Sequence, residues 1–89
     1  MKTSAESFAD LPNLGPVATR LLLAADIRTP DELRRIGSVE AARRIRAVRP
    51  LDPPCRHMLA ALEGAVRGIP KREISSSDRR RLWAEYSQA

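Results

Sequence analysis

Aromatic side chains are scarce in this chain: Phe8, Trp83 and Tyr86 make up 3% of its 89 residues. Three rings gathered near the two ends do not form the stacked platform on which single-stranded nucleic acids are held. Cys55 is the only cysteine and His57 the only histidine, which excludes an intrachain disulfide and a thiolate metal cluster. Two positions apart on a helix, these side chains diverge by about 200°, so they neither attack a substrate together nor share a ligand. Cys55 is then expected as a small buried hydrophobe. His57 has no carboxylate four residues to either side and reads as a surface or packing residue. Asp31 and Glu32 are accounted for by a helix start and Asp26 by a helix end, so no paired general acid and base emerges. No enzyme, metal or cofactor is expected. Long apolar runs are missing too: MKTSAESFAD carries no signal-peptide core, and no window is long enough to span a bilayer. The expectation is a cytoplasmic chain with no membrane partner. Strict apolar–polar alternation is absent, so no strand is expected.

What the chain has instead is positive charge. Sixteen Lys and Arg against eleven Asp and Glu give a formal +5 and a pI near 10.6, which permits attraction to nucleic acid or to an acidic protein surface. Fourteen of the sixteen bases are Arg. A GC-rich coding sequence explains that bias as readily as selection for guanidinium forks does. An apolar content of 43% suffices for one modest core, so residues 1–89 read as a single helical domain, with 1–10 a short helix or partly disordered.

The most informative stretch runs from Leu11 to Leu33, a tight hairpin feeding a helix. Pro12 and Gly15 punctuate the turn, with Gly15 expected at positive φ. Pro16 suits the first helical position, where a backbone N–H is orphaned anyway. From Pro16 to about Ala25, the residues Val17, Ala18, Leu21, Leu22 and Ala25 recur at helical spacing and predict one buried face. The amides of Val17, Ala18 and Thr19 then point out of the helix start, and bare amides at the positive end of a helix dipole attract an anion. The candidate phosphate or nucleic-acid contacts are therefore Asn13, Gly15, Val17, Ala18, Thr19 and Arg20. The plainer reading is a structural turn that sets the angle between two helices.

Along the rest of the chain, Thr3-x-x-Glu6 predicts a capping box for a short helix over Ser4–Asp10, anchored by Phe8. Thr29-Pro30-Asp31-Glu32 presents an N-cap, a first-turn proline and an N3 glutamate, opening a helix that ends near Gly37. Ser38 is expected to cap the next, with Val39, Ala42, Ile45 and Val48 as its apolar arc, Arg43 and Arg44 opposite, and Arg46 and Arg49 at the edge. The prolines between Arg49 and Pro54 stop that helix. Asp52 then reads as the N-cap of the longest one, Pro53 to about Gly68, with Cys55, Leu59, Leu62, Val66 and Ile69 inward. Ser75-Ser76-Ser77-Asp78 starts a last helix carrying Leu82, Trp83 and Tyr86.

Three of these segments, Leu11–Gly15 (LPNLG), Asp26–Gly37 (DIRTPDELRRIG) and Leu59–Gly68 (LAALEGAVRG), in this order and at these intervals, resemble the C-terminal domain of the TfoX/Sxy competence regulators of bacteria. With the elements above, the chain reads as an all-α, compact bundle of five or six short helices, six if Ser4–Asp10 is ordered; the resemblance implies an all-helical, non-enzymatic domain, helix-hairpin-helix-like, acting in competence regulation through DNA or protein contact. In the two-domain regulators it follows a separate α+β domain, so this chain reads as a stand-alone member or a part of something larger. A strong DNA-binding hairpin reads Gly, apolar, Gly, with Lys shortly after. Here Asn13 stands for the first Gly and tolerates the same left-handed backbone, but Val17 stands where Lys is common, and the charge-assisted contact is absent.

Two readings of the basic clusters remain side by side. Arg43, Arg44, Arg79, Arg80 and Arg81 either form a second nucleic-acid or acidic-partner patch, or are solvated helix faces with Asp78 and Glu85 as local partners. Likewise the Leu82, Trp83 and Tyr86 stripe closes over the core, or faces a second copy in a homodimer. The partner is DNA backbone or a protein surface; the rival function is interaction or oligomerisation with no nucleic-acid contact.

Overall fold

The computed structural model describes residues 7–88. Among them lie four α-helices, α1 (Pro16–Ala24), α2 (Pro30–Val48), α3 (Arg56–Arg67) and α4 (Ser76–Ser87), two single 3-10 turns, Phe8–Asp10 and Lys71–Glu73, and no strand. The bundle is all-helical as expected, but the expected five or six helices are four. The two helices predicted on either side of Gly37 are both present, taken together as α2 and separated by a break at Gly37, whose backbone is non-helical (φ 84°, ψ 167°). The Thr3–Glu6 capping box lies outside the described residues. Its described remainder is the turn Phe8–Asp10, entered by Ser7, whose N–H donates to the Asp10 carboxylate at 2.9 Å.

Local chemistry explains most boundaries. Thr29 Oγ1 accepts the Glu32 N–H at 3.1 Å and Glu32 Oε1 accepts the Thr29 N–H at 3.1 Å, so each side chain satisfies the other residue's orphan N–H. α3 begins at Arg56 behind Cys55, not at Pro53 behind Asp52. Pro54 bars Pro53 from helical backbone, and the Asp52 carboxylate instead accepts from Arg49 at 3.2 Å. At its other end α3 closes on Gly68 in the left-handed conformation (φ 77°), and the N–H groups of Gly68 and Ile69 both donate to the Gly64 carbonyl, at 2.7 and 2.9 Å. Those bonds satisfy a carbonyl that the helix leaves without a partner. Ser75 caps α4 by accepting the Asp78 N–H at 3.1 Å.

The core gathers Leu22, Ile27, Leu33, Ile45 and Leu62, all fully buried, with Phe8, Leu59, Ile74, Leu82 and Tyr86 around them. Phe8 is the apolar anchor its position suggested. α2 packs chiefly on α3, where the small residues Ala41, Ala42, Ala61 and Ala65 are buried and let the two backbones approach at interior density. Three expected core residues face solvent instead: Val17 and Val48 are about half exposed, and Cys55 is exposed. Val17 lies in the first turn of α1, outside the Ala18–Leu22–Ala25 face, Val48 ends α2, and Cys55 precedes α3 instead of lying on it. Ser38 is not a cap but a buried residue within α2, its hydroxyl donating to Glu63 Oε1 at 2.6 Å. α4 closes over the same core through Leu82 and Tyr86, with Trp83 half-buried. No described helix is long and apolar enough to cross a membrane.

Candidate nucleic-acid interface

The turn ahead of α1 is built on Asn13 rather than on Gly15. Asn13 adopts positive φ (74°), whereas Gly15 is extended (φ −99°, ψ −169°) as the N-cap of α1. An N-cap needs an extended backbone, so the positive φ expected of Gly15 falls two residues earlier. Pro16 occupies the first turn as predicted. Thr19 is not an exposed donor, because its N–H closes the first helical bond onto the Gly15 carbonyl at 3.0 Å. The amides of Val17 and Ala18 come before that bond and, among the described residues, have no acceptor.

Asn13 lines a surface depression at the start of α1, but its side-chain groups are spent on the protein. Its side-chain amide donates to the Ile69 carbonyl at 3.0 Å and to the Ala61 carbonyl at 3.4 Å, and its Oδ1 accepts the Lys71 N–H at 2.9 Å. The hairpin is thereby sewn to the end of α3 and to the Lys71–Glu73 turn. This seam sets Lys71 beside the start of α1. That shallow depression is lined by Asn13, Gly15, Val17 and Ala18 together with Cys55, His57, Met58 and Lys71. No carboxylate lines it. On the far side of Val17, Arg20 and Arg49 line the neighbouring surface, so cations flank the helix start from both directions. The charge that Val17 does not provide is thus brought by Lys71 from the other half of the chain.

The TfoX C-terminal domain family matches residues 4–86. The chain belongs to that family. A crystal structure of an uncharacterized protein from Listeria monocytogenes, triclinic form, is similar at 38% identity and a TM-score of 0.78, over 85% of this chain and 84% of that one. The tetragonal form of a protein of unknown function from the same organism is similar at 36% identity and a TM-score of 0.81, over 90% of this chain and 95% of that one. No curated protein matches.

In this TfoX C-terminal domain the expected basic clusters are divided between fastening and exposure. Arg43 donates to the Glu85 carbonyl at 2.6 Å, tying α2 to the end of α4, and Arg44 pairs with Glu40 at 2.9 Å. Arg79 donates to the carbonyls of Ile74, at 3.0 Å, and Lys71, so it holds the very turn that carries Lys71. Arg81 pairs with Asp78 at 3.2 Å. Arg80 is exposed and has no carboxylate partner among the described residues. Asp78 is a local partner as foreseen; of Glu85, the backbone serves rather than the carboxylate.

A polar chain that sequence reasoning missed links three helices: Ser38 on α2, Glu63 and Arg67 on α3, and Asp78 on α4. Arg67 donates to Glu63 at 2.6 Å and to Asp78 at 3.0 Å. These bonds hold the Arg67 guanidinium above its ordinary range, the bond to Glu63 counting most, and hold the Asp78 carboxyl below the usual aspartate range, Arg67 contributing first and Arg81 next. Lys71 was missed as well. The one hint was its identity, since Lys2 and Lys71 are the only lysines among sixteen bases.

Proposed function

We propose that this domain is a non-catalytic, regulatory binding module whose first half, helix-hairpin-helix-like, contacts the phosphate backbone of duplex DNA at the start of α1. The observation that carries the reading is Lys71 beside the unpartnered amides of Val17 and Ala18, in a depression free of carboxylates. Amides at a helix start carry roughly half a positive charge, and a lysine ammonium adds a compact point charge suited to a phosphate oxygen. Such contacts position a protein on DNA without reading bases. Binding is therefore weak, sequence-independent and salt-sensitive. The sequence offers no paired general acid and base that would favour an enzyme.

The test is fluorescence anisotropy of a short labelled duplex. Three neutralised phosphates give about a 40-fold loss of affinity between 50 and 200 mM salt, and Lys71→Glu removes binding at the lower salt with the thermal melt unchanged. A wild-type domain that leaves the duplex free at 50 mM salt ends the reading.

A further inference from the structure

A second hollow lies between the first turns of α3 and α4. Its floor is Leu59, Ala60, Leu82 and part of Trp83, and its rim is Arg56, His57, Arg79 and Arg80, with no carboxylate in the lining. The Arg56 guanidinium lies 4.7 Å from the centroid of the Trp83 ring, a cation–π contact that fixes it over the indole. Arg79 is anchored by the Ile74 and Lys71 carbonyls. Neither Arg56 nor Arg80 has a carboxylate partner among the described residues. Several surface arginines elsewhere do, Arg28 with Asp26, Arg44 with Glu40 and Arg49 with Asp52, although Arg20, Arg35 and Arg72 are exposed without such a partner among the described residues. The hollow thus combines an apolar floor with an unneutralised cationic rim.

At about 220 Å³ it is smaller than the roughly 300–1,000 Å³ clefts that hold whole drug-sized ligands, and it suits one inserted side chain. Charge decides the rest. A second copy of this chain, docked hollow to hollow, brings the same guanidiniums face to face, and like charges brought together in an interface are costly. A DNA duplex offers phosphates to the rim but no apolar group to the floor. An unpaired base would stack on the indole, where Arg56 already lies.

We propose that the α3–α4 hollow docks an acidic peptide segment, which inserts one bulky apolar side chain against Leu59, Leu82 and Trp83 while its carboxylates meet Arg56 and Arg80. This is a protein-docking site next to the DNA-contacting depression and independent of it; the two share only His57 in their linings. An aromatic or aliphatic anchor in a pocket with charged neighbours is the ordinary anatomy of a small interface hot spot.

Trp83 is the only tryptophan, so its emission reports the hollow directly. Three synthetic peptides serve as probes: a glutamate-rich peptide with one central leucine, the same peptide with serine in its place, and the leucine peptide with lysines for glutamates. The first is expected to shift Trp83 emission saturably, the second to bind at least tenfold more weakly, and the third not to bind. Arg80→Glu weakens the first at least tenfold without moving the thermal melt, since Arg80 has no partner among the described residues. Equal binding of the leucine and serine peptides, indifference to Arg80→Glu, or no emission change with any peptide overturns the assignment. So does a short DNA duplex that saturates the Trp83 signal in place of the peptide. Peptide binding that survives Lys71→Glu, where DNA binding is lost, supports two separate sites.

Discussion

The carboxamide of Asn13 lies across Gly64. A Cβ built on Gly64 runs into Asn13 Nδ2 and comes within 2.7 Å of the Ile69 carbonyl oxygen, the same carbonyl that accepts from Asn13. Glycine in mid-helix is here a condition of the seam between hairpin and α3. Gly64→Ala is expected to destabilise the domain by about 1–2 kcal/mol in thermal melts, even though alanine ordinarily gains about 1 kcal/mol over glycine inside a helix. Asn13→Gly keeps the left-handed backbone but removes the side-chain bonds, with an expected loss of about 1–2 kcal/mol.

Gly15 gives an opposite case. Its backbone is extended and nothing stands within 4 Å of a Cβ placed there, so Gly15→Asp provides the side-chain cap that α1 lacks. Stability is expected to rise by a few tenths of a kcal/mol, about 0.5 at most. DNA affinity at low salt is expected to fall, because the carboxylate takes the amides and repels phosphate. Parallel melts and anisotropy titrations check both halves; a variant that melts higher and binds as well removes the amides from the site.

Gly37 is constrained by conformation alone. Its Cβ would meet nothing within 4 Å, yet its φ of 84° and ψ of 167° belong to a region populated almost only by glycine. Gly37→Ala is expected to lower stability by about 1–3 kcal/mol, read from urea or thermal unfolding. A neutral substitution would mean that α2 straightens at no cost.

Asp78 links stability to pH. Its folded-state carboxyl is held below the usual aspartate range, first by Arg67 and then by Arg81, so the folded state binds a proton less readily than the unfolded chain. Its contribution is complete above the ordinary aspartate range and is lost as pH falls through that range and below. The melting temperature is expected to drop on acidification toward pH 3, and Asp78→Asn to flatten the part of that drop due to this carboxyl. An unchanged acid profile in the variant would show that other carboxylates carry it.

Much of this arrangement was legible because short-range chemistry fixed it. The Thr29–Glu32 box, Pro16 at the start of α1, Gly68 at the end of α3 and Ser75 before α4 each depend on residues within four positions of one another. The α3 start was misjudged because the stop imposed by Pro54 on Pro53 outweighed the capping preference of Asp52. Ser38 looked like a cap because its partner, Glu63, is 25 residues away. Lys71 lay beyond local reasoning for the same cause: its neighbour at the candidate site is a turn 58 residues earlier, and no periodicity encodes that meeting. Spacing alone places Val17 inward, but it stands exposed in the first turn of α1, outside the Ala18–Leu22–Ala25 face.

The bond between the Lys71 amide and Asn13 Oδ1 has a temporal side. A chain emerging amino-end first can wind α1 early, but the ammonium that completes its tip is not yet made. A helix as short as α1 is marginal by itself in water, and a fragment of either half would lack the cradle. The proposed anion cradle therefore forms only with closure of the whole domain.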